Sequence, residues 1–259
     1  MSSSNRETMP RLRFPRYDVV DALRGTAMVW MTVFHFCFDL SYMGWWKQDF
    51  LSDPFWTLQR VGIVSLFLFC AGLGQSIAYV QGQSWSRFGR RWLQIALAAA
   101  LVSLGSWWMF PRSYIHFGVL HGIAVMLVVV RLTAGWGRWL WPAGALALAM
   151  PWLAQWWLSG GGAAWADAMN GRALNWLGLV TRKPFTEDYV PVFPWLGVMW
   201  WGMASGRWLQ ARHAHRLGCA LPAPGRALAW LGRWSLSYYL LHQPVMLGIL
   251  GALAWWLKA

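Results

Sequence analysis

Long apolar runs recur along almost the whole sequence, and they constrain the fold more than any other feature. Each approaches or exceeds the roughly 20 residues that cross a bilayer as a helix. Lipid offers no partner to an unpaired backbone group, so each run is expected to be helical. The sequence therefore predicts an all-α, polytopic membrane helix bundle with about seven transmembrane helices, at residues 19–43, 56–80, 92–110, 114–131, 136–158, 189–209 and 232–257.

The positions of Lys and Arg predict how the bundle lies in the membrane. With the N-terminus in the cytoplasm, thirteen of these residues fall in inner segments and six in outer ones. Positive charge is retained on the cytoplasmic side, so this bias favours a cytoplasmic N-terminus and an extracytoplasmic C-terminus. We expect a multi-pass protein of the cell (inner) membrane, with a basic cytoplasmic tail at 1–18 and one transmembrane domain at 19–259.

Composition narrows the classes of partner. The chain is 58% hydrophobic and 12% charged, and its formal net charge is +13. The basic residues form short clusters between apolar runs, with no basic patch interleaved with aromatic residues, which favours contact with the lipid bilayer and excludes nucleic acid as a partner. The three cysteines have no spacing typical of a disulfide framework or a zinc site.

One apolar run, LRGTAMVWMTVFHFCFDL, carries an acid and a base. His35 and Asp39 are four residues apart and so share one helix face. Ionisable side chains at membrane depth usually face a bundle interior or a wet cavity. Asp39 is therefore expected to orient the His35 ring, leaving the other ring nitrogen to act as a base. The alternative is that both side chains only make interhelical hydrogen bonds.

Two further histidines lie within other predicted spans. His121 is in HFGVLHGIA and His242 is in YYLLHQP. At about 1.5 Å per residue, both lie in the middle or outer part of the bilayer, as does His35. They line one cavity with His35 or are separate core histidines. No pair has a metal-ligand spacing, so no metal is predicted.

Charged residues near the span ends have two interpretations each. Arg24 and Arg233 are phosphate contacts, since a guanidinium matches phosphate geometry, or they form ion pairs such as the i,i+3 pair of Arg24 with Asp21. Arg60 is a ligand contact or an interfacial anchor.

The outer segment 159–188 is a lid or a connector. Asp188 and Tyr189, which follow it, bind substrate or cap the sixth span.

Four segments in order, DALRGTAMVWMTVFHFCFDL, HFGVLHGIA, DYVPVFPWLGVMWWG and LGRWSLSYYLLHQP, carry a family resemblance. Together they resemble the heparan-alpha-glucosaminide N-acetyltransferase catalytic domain family, in its short bacterial form. LRG with a histidine eleven residues after the arginine is also similar to the transmembrane acyltransferase superfamily, where a histidine at this spacing is catalytic.

The resemblance implies acyl transfer across a membrane by an acyltransferase-like domain. Cytoplasmic acetyl-CoA would be the co-substrate, and the acceptor would be an amine or hydroxyl of an extracytoplasmic glycan or amino sugar. His35 would be catalytic, as base or acyl carrier, with Arg24, His121, His242 and Gln243 in the pocket.

Two other functions compete with this interpretation. A proton-coupled transporter would use the intramembrane histidines as a relay, although paired repeats with matching broken helices are absent from the sequence. A lipid-binding or assembly subunit would need no catalytic residue. The acceptor, the acyl length and the oligomeric state are open at this point, as is the choice between direct transfer and an acyl-histidine.

Overall fold

The computed structural model describes residues 16–257, where every regular element is a helix apart from one isolated bridge between Phe117 and Tyr189. The α-helices in this range are α1 (Asp18–Tyr42), α2 (Pro54–Val80), α3 (Trp85–Met109), α4 (Val119–Leu132), α5 (Leu140–Leu158), α6 (Ala166–Asn170), α7 (Val192–Arg212), α8 (Ala214–Leu217), α9 (Ala223–Arg233) and α10 (Ser235–Trp256). Short 3₁₀ helices lie at Ala134–Trp139, Ala163–Trp165 and Asn175–Leu177. The all-α prediction is confirmed for these residues.

Three described helices, α2, α3 and α10, are long and apolar enough to cross a membrane. A fourth span results if α4 and the segment Ala134–Leu158 are counted as one broken element, bent by 100°. Helices α1 and α7 coincide with the predicted spans 19–43 and 189–209, but they are not among these candidates. These long apolar helices indicate that the protein is a membrane protein. The full count of seven spans and the orientation remain predictions.

Two predicted spans look different in the structure. The only α-helix that overlaps residues 114–131 is the 14-residue α4, which at about 1.5 Å per residue is shorter than a bilayer core. Gly137, with φ +60° and ψ −122°, interrupts the helical backbone between α4 and α5. Glycine suits this backbone because it lacks a Cβ.

The predicted span 232–257 is divided at Trp234. Helix α9 ends at Arg233 and packs against α1, and α10 begins at Ser235. The α1–α9 contact is close: a Cβ on Gly25 would lie 2.0 Å from Leu228 O, and one on Gly232 would lie 1.8 Å from Asp21 O. Small residues allow such an approach of two helix backbones.

The core is centred on the packing of α2 against α7. A Cβ on Gly72 would lie 2.0 Å from Met199 O, and one on Gly202 would lie 2.3 Å from Phe69 O. Met199 and Met203 are fully buried beside these glycines. Helix α10, by contrast, has a single buried residue and several exposed large apolar side chains, as a helix bordering lipid would.

Two predicted segments lie outside the seven predicted spans. The predicted cytoplasmic tail 1–18 lies almost entirely outside the described residues, which begin at Arg16. The segment 159–188 is folded back over the bundle: Glu187 N donates to Ser113 O at 2.9 Å, and Asn175 is 2% exposed.

Candidate active site

Helices α1 and α10 contact each other through three pairs of polar side chains. The residue numbers rise together along both helices, so the helices run parallel. We call these six residues the polar seam: Thr32 Oγ1 with Tyr238 Oη at 2.5 Å, His35 Nδ1 with His242 Nε2 at 2.8 Å, and Gln243 Nε2 with Asp39 Oδ1 at 2.8 Å.

The hydrogen bonds of the central pair define the tautomers of two neutral imidazoles. His242 Nδ1 lies 2.8 Å from Tyr239 O, and a carbonyl oxygen only accepts, so Nδ1 carries the proton. His242 Nε2 then accepts, and His35 Nδ1 must donate to it. The one ring nitrogen of these two histidines with a free lone pair is His35 Nε2, which has no hydrogen-bond partner among residues 16–257.

Asp39 does not hold His35, which corrects the expected carboxylate–imidazole contact. Its Oδ1 accepts from Gln243 instead, while His35 pairs with His242. The shared helix face is present, but α10 packs against that face and supplies nearer partners to both side chains. Helical spacing alone carries no information about this neighbour.

Two buried oxygens beside Asp39 are unpaired. Asp39 is 1% exposed, and its Oδ2 has no hydrogen-bond partner in the described structure. Gln243 Oε1 is also buried without a partner. A buried polar atom without a partner is costly, so this end of the polar seam is suited to a ligand that donates N–H or O–H groups.

Aromatic side chains cover one side of the His35 ring. The Phe34 ring lies 5.9 Å from it, and Phe34 packs in turn against Phe50 and Trp56. These three residues belong to a buried apolar cluster against which Tyr239 also packs. Apolar walls exclude water and strengthen electrostatic interactions inside a site.

His121 lies apart from the histidine pair. Gly118 N donates to its Nδ1 at 3.2 Å, and its Nε2 lies 3.0 Å from Ser103 Oγ. One ring nitrogen therefore holds the start of α4, and the other contacts α3. No hydrogen bond or ring contact joins His121 to His35 or His242 in the part of the chain that the structure describes.

Asp188 caps a different helix from the expected one. Its Oδ2 accepts from Val119 N at 2.8 Å, at the start of α4 instead of the sixth predicted span. Burial raises the pKa of this carboxyl group, although the Val119 N–H opposes the shift. Tyr189 Oη donates to Asn175 O at 2.6 Å, so the hydroxyl is engaged within the outer segment.

Arg60 faces the outer segment and has no hydrogen bond or ion pair within residues 16–257. It lies close enough to Lys183 to act on its charge: partial burial, and then Arg60, lower the pKa of Lys183. The structure therefore places Arg60 near a second cation and not in the polar seam.

At the other end of α1, Asp21 binds three guanidinium groups. Its carboxylate lies 2.7 Å from Arg16 Nε, 2.9 Å from Arg24 NH1 and 3.8 Å from Arg233 Nε. The i,i+3 ion pair of Arg24 is thus formed. Arg233 also donates to Asp18 at 2.6 Å, from the end of α9 and not from the start of α10.

Residues 16–244 match the model of the heparan-alpha-glucosaminide N-acetyltransferase catalytic domain family. The chain belongs to that family. A search of curated proteins and a search of solved structures each found no match. The matched range includes the whole polar seam.

Family membership indicates an acyltransferase embedded in a membrane, with acetyl-CoA as the co-substrate that the family uses in general. Among residues 16–257, no group of three or more His, Cys, Asp or Glu side chains is arranged to hold a metal ion.

Sequence reasoning missed three residues of the site: Thr32, Tyr238 and Tyr239. Tyr238 precedes His242 by four residues and Tyr239 by three, so helical spacing already placed both beside the imidazole. Aromatic residues are frequent throughout this sequence, which concealed that signal.

Proposed function

We propose that this protein transfers an acetyl or small acyl group from cytoplasmic acyl-CoA to an amine or hydroxyl of an extracytoplasmic glycan. His35 would act as the general base or as the acyl carrier. The observation that carries the proposal is the single free nitrogen, His35 Nε2, at the end of the hydrogen-bond chain that runs through His242 to Tyr239 O.

The chain of hydrogen bonds suits a proton acceptor. A proton taken at His35 Nε2 creates an imidazolium, whose other N–H still donates to His242 Nε2. His242 Nδ1–H in turn donates to a backbone carbonyl, which has no proton to exchange, so His242 keeps its tautomer. This arrangement keeps the ring oriented before and after the transfer, as a general base requires.

The transfer step would proceed as follows. The acceptor nitrogen or oxygen attacks the thioester carbonyl carbon, and His35 Nε2 takes its proton. The tetrahedral intermediate collapses, the carbon–sulfur bond breaks, and the imidazolium returns the proton to the CoA thiolate. In the acyl-carrier version, His35 Nε2 attacks the carbonyl carbon first, and the carbon–sulfur bond breaks to release the CoA thiolate. The acceptor then attacks the acyl group, the bond to Nε2 breaks, and the freed Nε2 takes the acceptor proton and passes it to the thiolate.

Asp39 Oδ2 and Gln243 Oε1 would bind the acceptor. Both are buried oxygens without a donor in the described residues, and an acceptor amine or hydroxyl group supplies such donors. Asp39 thus orients the acceptor and not His35. His121, Asp188 and Tyr189 would shape the outer side of the pocket through the start of α4 and the outer segment.

The test uses purified protein in liposomes with acetyl-CoA labelled in the acetyl group. Candidate amino sugars and glycans are added, and the label is followed into product and into protein. Transfer to an acceptor that is lost in His35→Ala supports the proposal. Unchanged turnover in that variant would remove His35 from the mechanism.

Two controls separate the alternatives. If the label accumulates on the protein without acceptor and moves to the acceptor when it is added, the protein is an acyl carrier. If no label accumulates on the protein, transfer is direct. Sugar or proton flux into vesicles that contain no CoA would instead support the transporter.

A further inference from the structure

A cavity lies near the inner end of the polar seam, between the first turns of α3 and the start of α10. It encloses about 290 Å³. Its walls carry two arginines, an amide and a hydroxyl beside two apolar side chains: Arg91, Gln94, Arg233, Trp234, Leu236 and Ser237.

Positive charge dominates this cavity. Arg91 NH1 donates to Gln94 Oε1 at 3.1 Å, and this amide is its hydrogen-bond partner in the described structure. Arg16 and Arg24 are close enough to Arg91 to repel its charge. No carboxylate pairs with Arg91 among residues 16–257.

The neighbouring acids do not balance the arginines. Asp21 is 4% exposed and already contacts Arg16, Arg24 and Arg233, while Asp18 contacts Arg233. With Arg91, four guanidinium groups face two carboxylates, which leaves two positive charges uncompensated in this group. A phosphate dianion matches that excess, and guanidinium forks match its geometry.

The cavity lies close to the histidine pair along the axis of α10. Ser237 lines the cavity and lies five residues before His242 on α10, which corresponds to about 7.5 Å along the helix axis. The cavity and the histidine pair are therefore separated by less than two turns along α10.

We propose that this cavity is a phosphate-binding site, occupied by the phosphates of acyl-CoA or by the phosphate of an anionic lipid headgroup. The CoA source rests on the proposed function, whereas the lipid source does not. Arg91, which no sequence pattern singled out, is the residue on which the site depends most.

The test measures binding, not turnover. Free CoA is titrated into protein in nanodiscs of phosphatidylcholine, and thermal stability is compared between these nanodiscs and nanodiscs containing phosphatidylglycerol. Arg90→Gln is the matched control, because Arg90 is exposed on the same helix and does not line the cavity. It removes the same charge.

For a CoA site, Arg91→Gln weakens CoA binding about tenfold and Arg90→Gln does not, since one charge-assisted hydrogen bond accounts for roughly that factor. For a lipid site, Arg91→Gln abolishes the stabilisation by phosphatidylglycerol and leaves CoA binding unchanged. If the Arg91 and Arg90 variants behave alike in both assays, the proposal is wrong.

A second variant covers the case in which Arg91→Gln does not fold. Ser237→Leu fills the cavity and leaves every ion pair of Asp21 intact, so it is expected to weaken the same binding. Failure of the two proposals is distinguishable: acyl transfer without Arg91-dependent binding overturns only the phosphate site, and Arg91-dependent binding without acyl transfer overturns only the proposed function.

Discussion

His35 Nδ1 lies 2.8 Å from His242 Nε2, and the two ring planes differ by 11°. This contact joins α1 to α10 across 207 residues of sequence. It turns two histidines on different helices into one unit in which a single nitrogen has no hydrogen-bond partner among residues 16–257. The first two predictions follow from that unit.

We expect His35→Ala to lower the rate of acyl transfer by about 10²- to 10⁴-fold, the range that a general base contributes. An acyl carrier would give a loss at least as large. The measurement is labelled acetyl transfer, with thermal unfolding as the test of folding. His213→Ala, in the segment after α7, is the matched control and should transfer acetyl normally.

We expect His242→Ala to lower kcat about tenfold, with a smaller effect on KM for acetyl-CoA. The hydrogen bond that orients His35 is lost, which is worth roughly one factor of ten, while the donor site stays intact. Steady-state kinetics separates the two constants. Tyr238→Phe removes the neighbouring Thr32 contact and leaves both imidazoles; an equal loss of kcat there would contradict a special role for His242.

We expect Gln243→Leu to destabilise the fold by about 1–3 kcal/mol, because the buried Asp39 carboxylate loses its donor. Asp39→Leu in the same chain should recover much of this loss, since both polar partners are then replaced by apolar groups. A double-mutant cycle of unfolding in detergent measures the coupling. Additive effects of the two substitutions would show that the contact contributes nothing.

We expect Asp21→Asn to destabilise the protein by about 1–3 kcal/mol, because three guanidinium groups lose a buried carboxylate. Asp18→Asn should cost at most about 1 kcal/mol, since the Asp18 side chain is 46% exposed and its ion pair with Arg233 is screened by solvent. The comparison uses thermal unfolding of both variants. A reversed order would contradict the central position of Asp21.

We expect Gly72→Ala to destabilise the bundle by about 1–3 kcal/mol, because the new methyl group would lie 2.0 Å from Met199 O and push α7 away. Gly105→Ala in α3 is the control: nothing lies within 4 Å of its Cβ position, and alanine favours helix by about 0.5–1 kcal/mol. Equal melting temperatures of the two variants would contradict the close α2–α7 packing.

The sequence predicted what depends on local spacing. Apolar runs located the helices, and helical periodicity placed His35 and Asp39 on one face. The ion pair of Asp21 with Arg24 followed from the same i,i+3 rule. These features need only the geometry of a single helix, which is why they could be stated before any packing was known.

The partners of His35 and Asp39 depended on packing and were not predicted. Which helix borders α1 is decided by the close contact of α9 at Gly25 and Gly232, after which α10 continues along α1. The sequence pattern also did not indicate that one nitrogen of His121 holds the start of α4 and the other contacts Ser103 on α3. Convergence of three histidines was therefore open, and the structure joins only two.

The contact between His35 and His242 has a consequence for biosynthesis. During translation, α1 is synthesised long before residue 242 exists, so the His35 imidazole at first has no oriented neighbour. An unfinished chain therefore lacks the arrangement that we assign to thioester attack. A fragment that terminates before α10 would be unable to hydrolyse acetyl-CoA. The protein would become able to catalyse acyl transfer only after α10 has been synthesised.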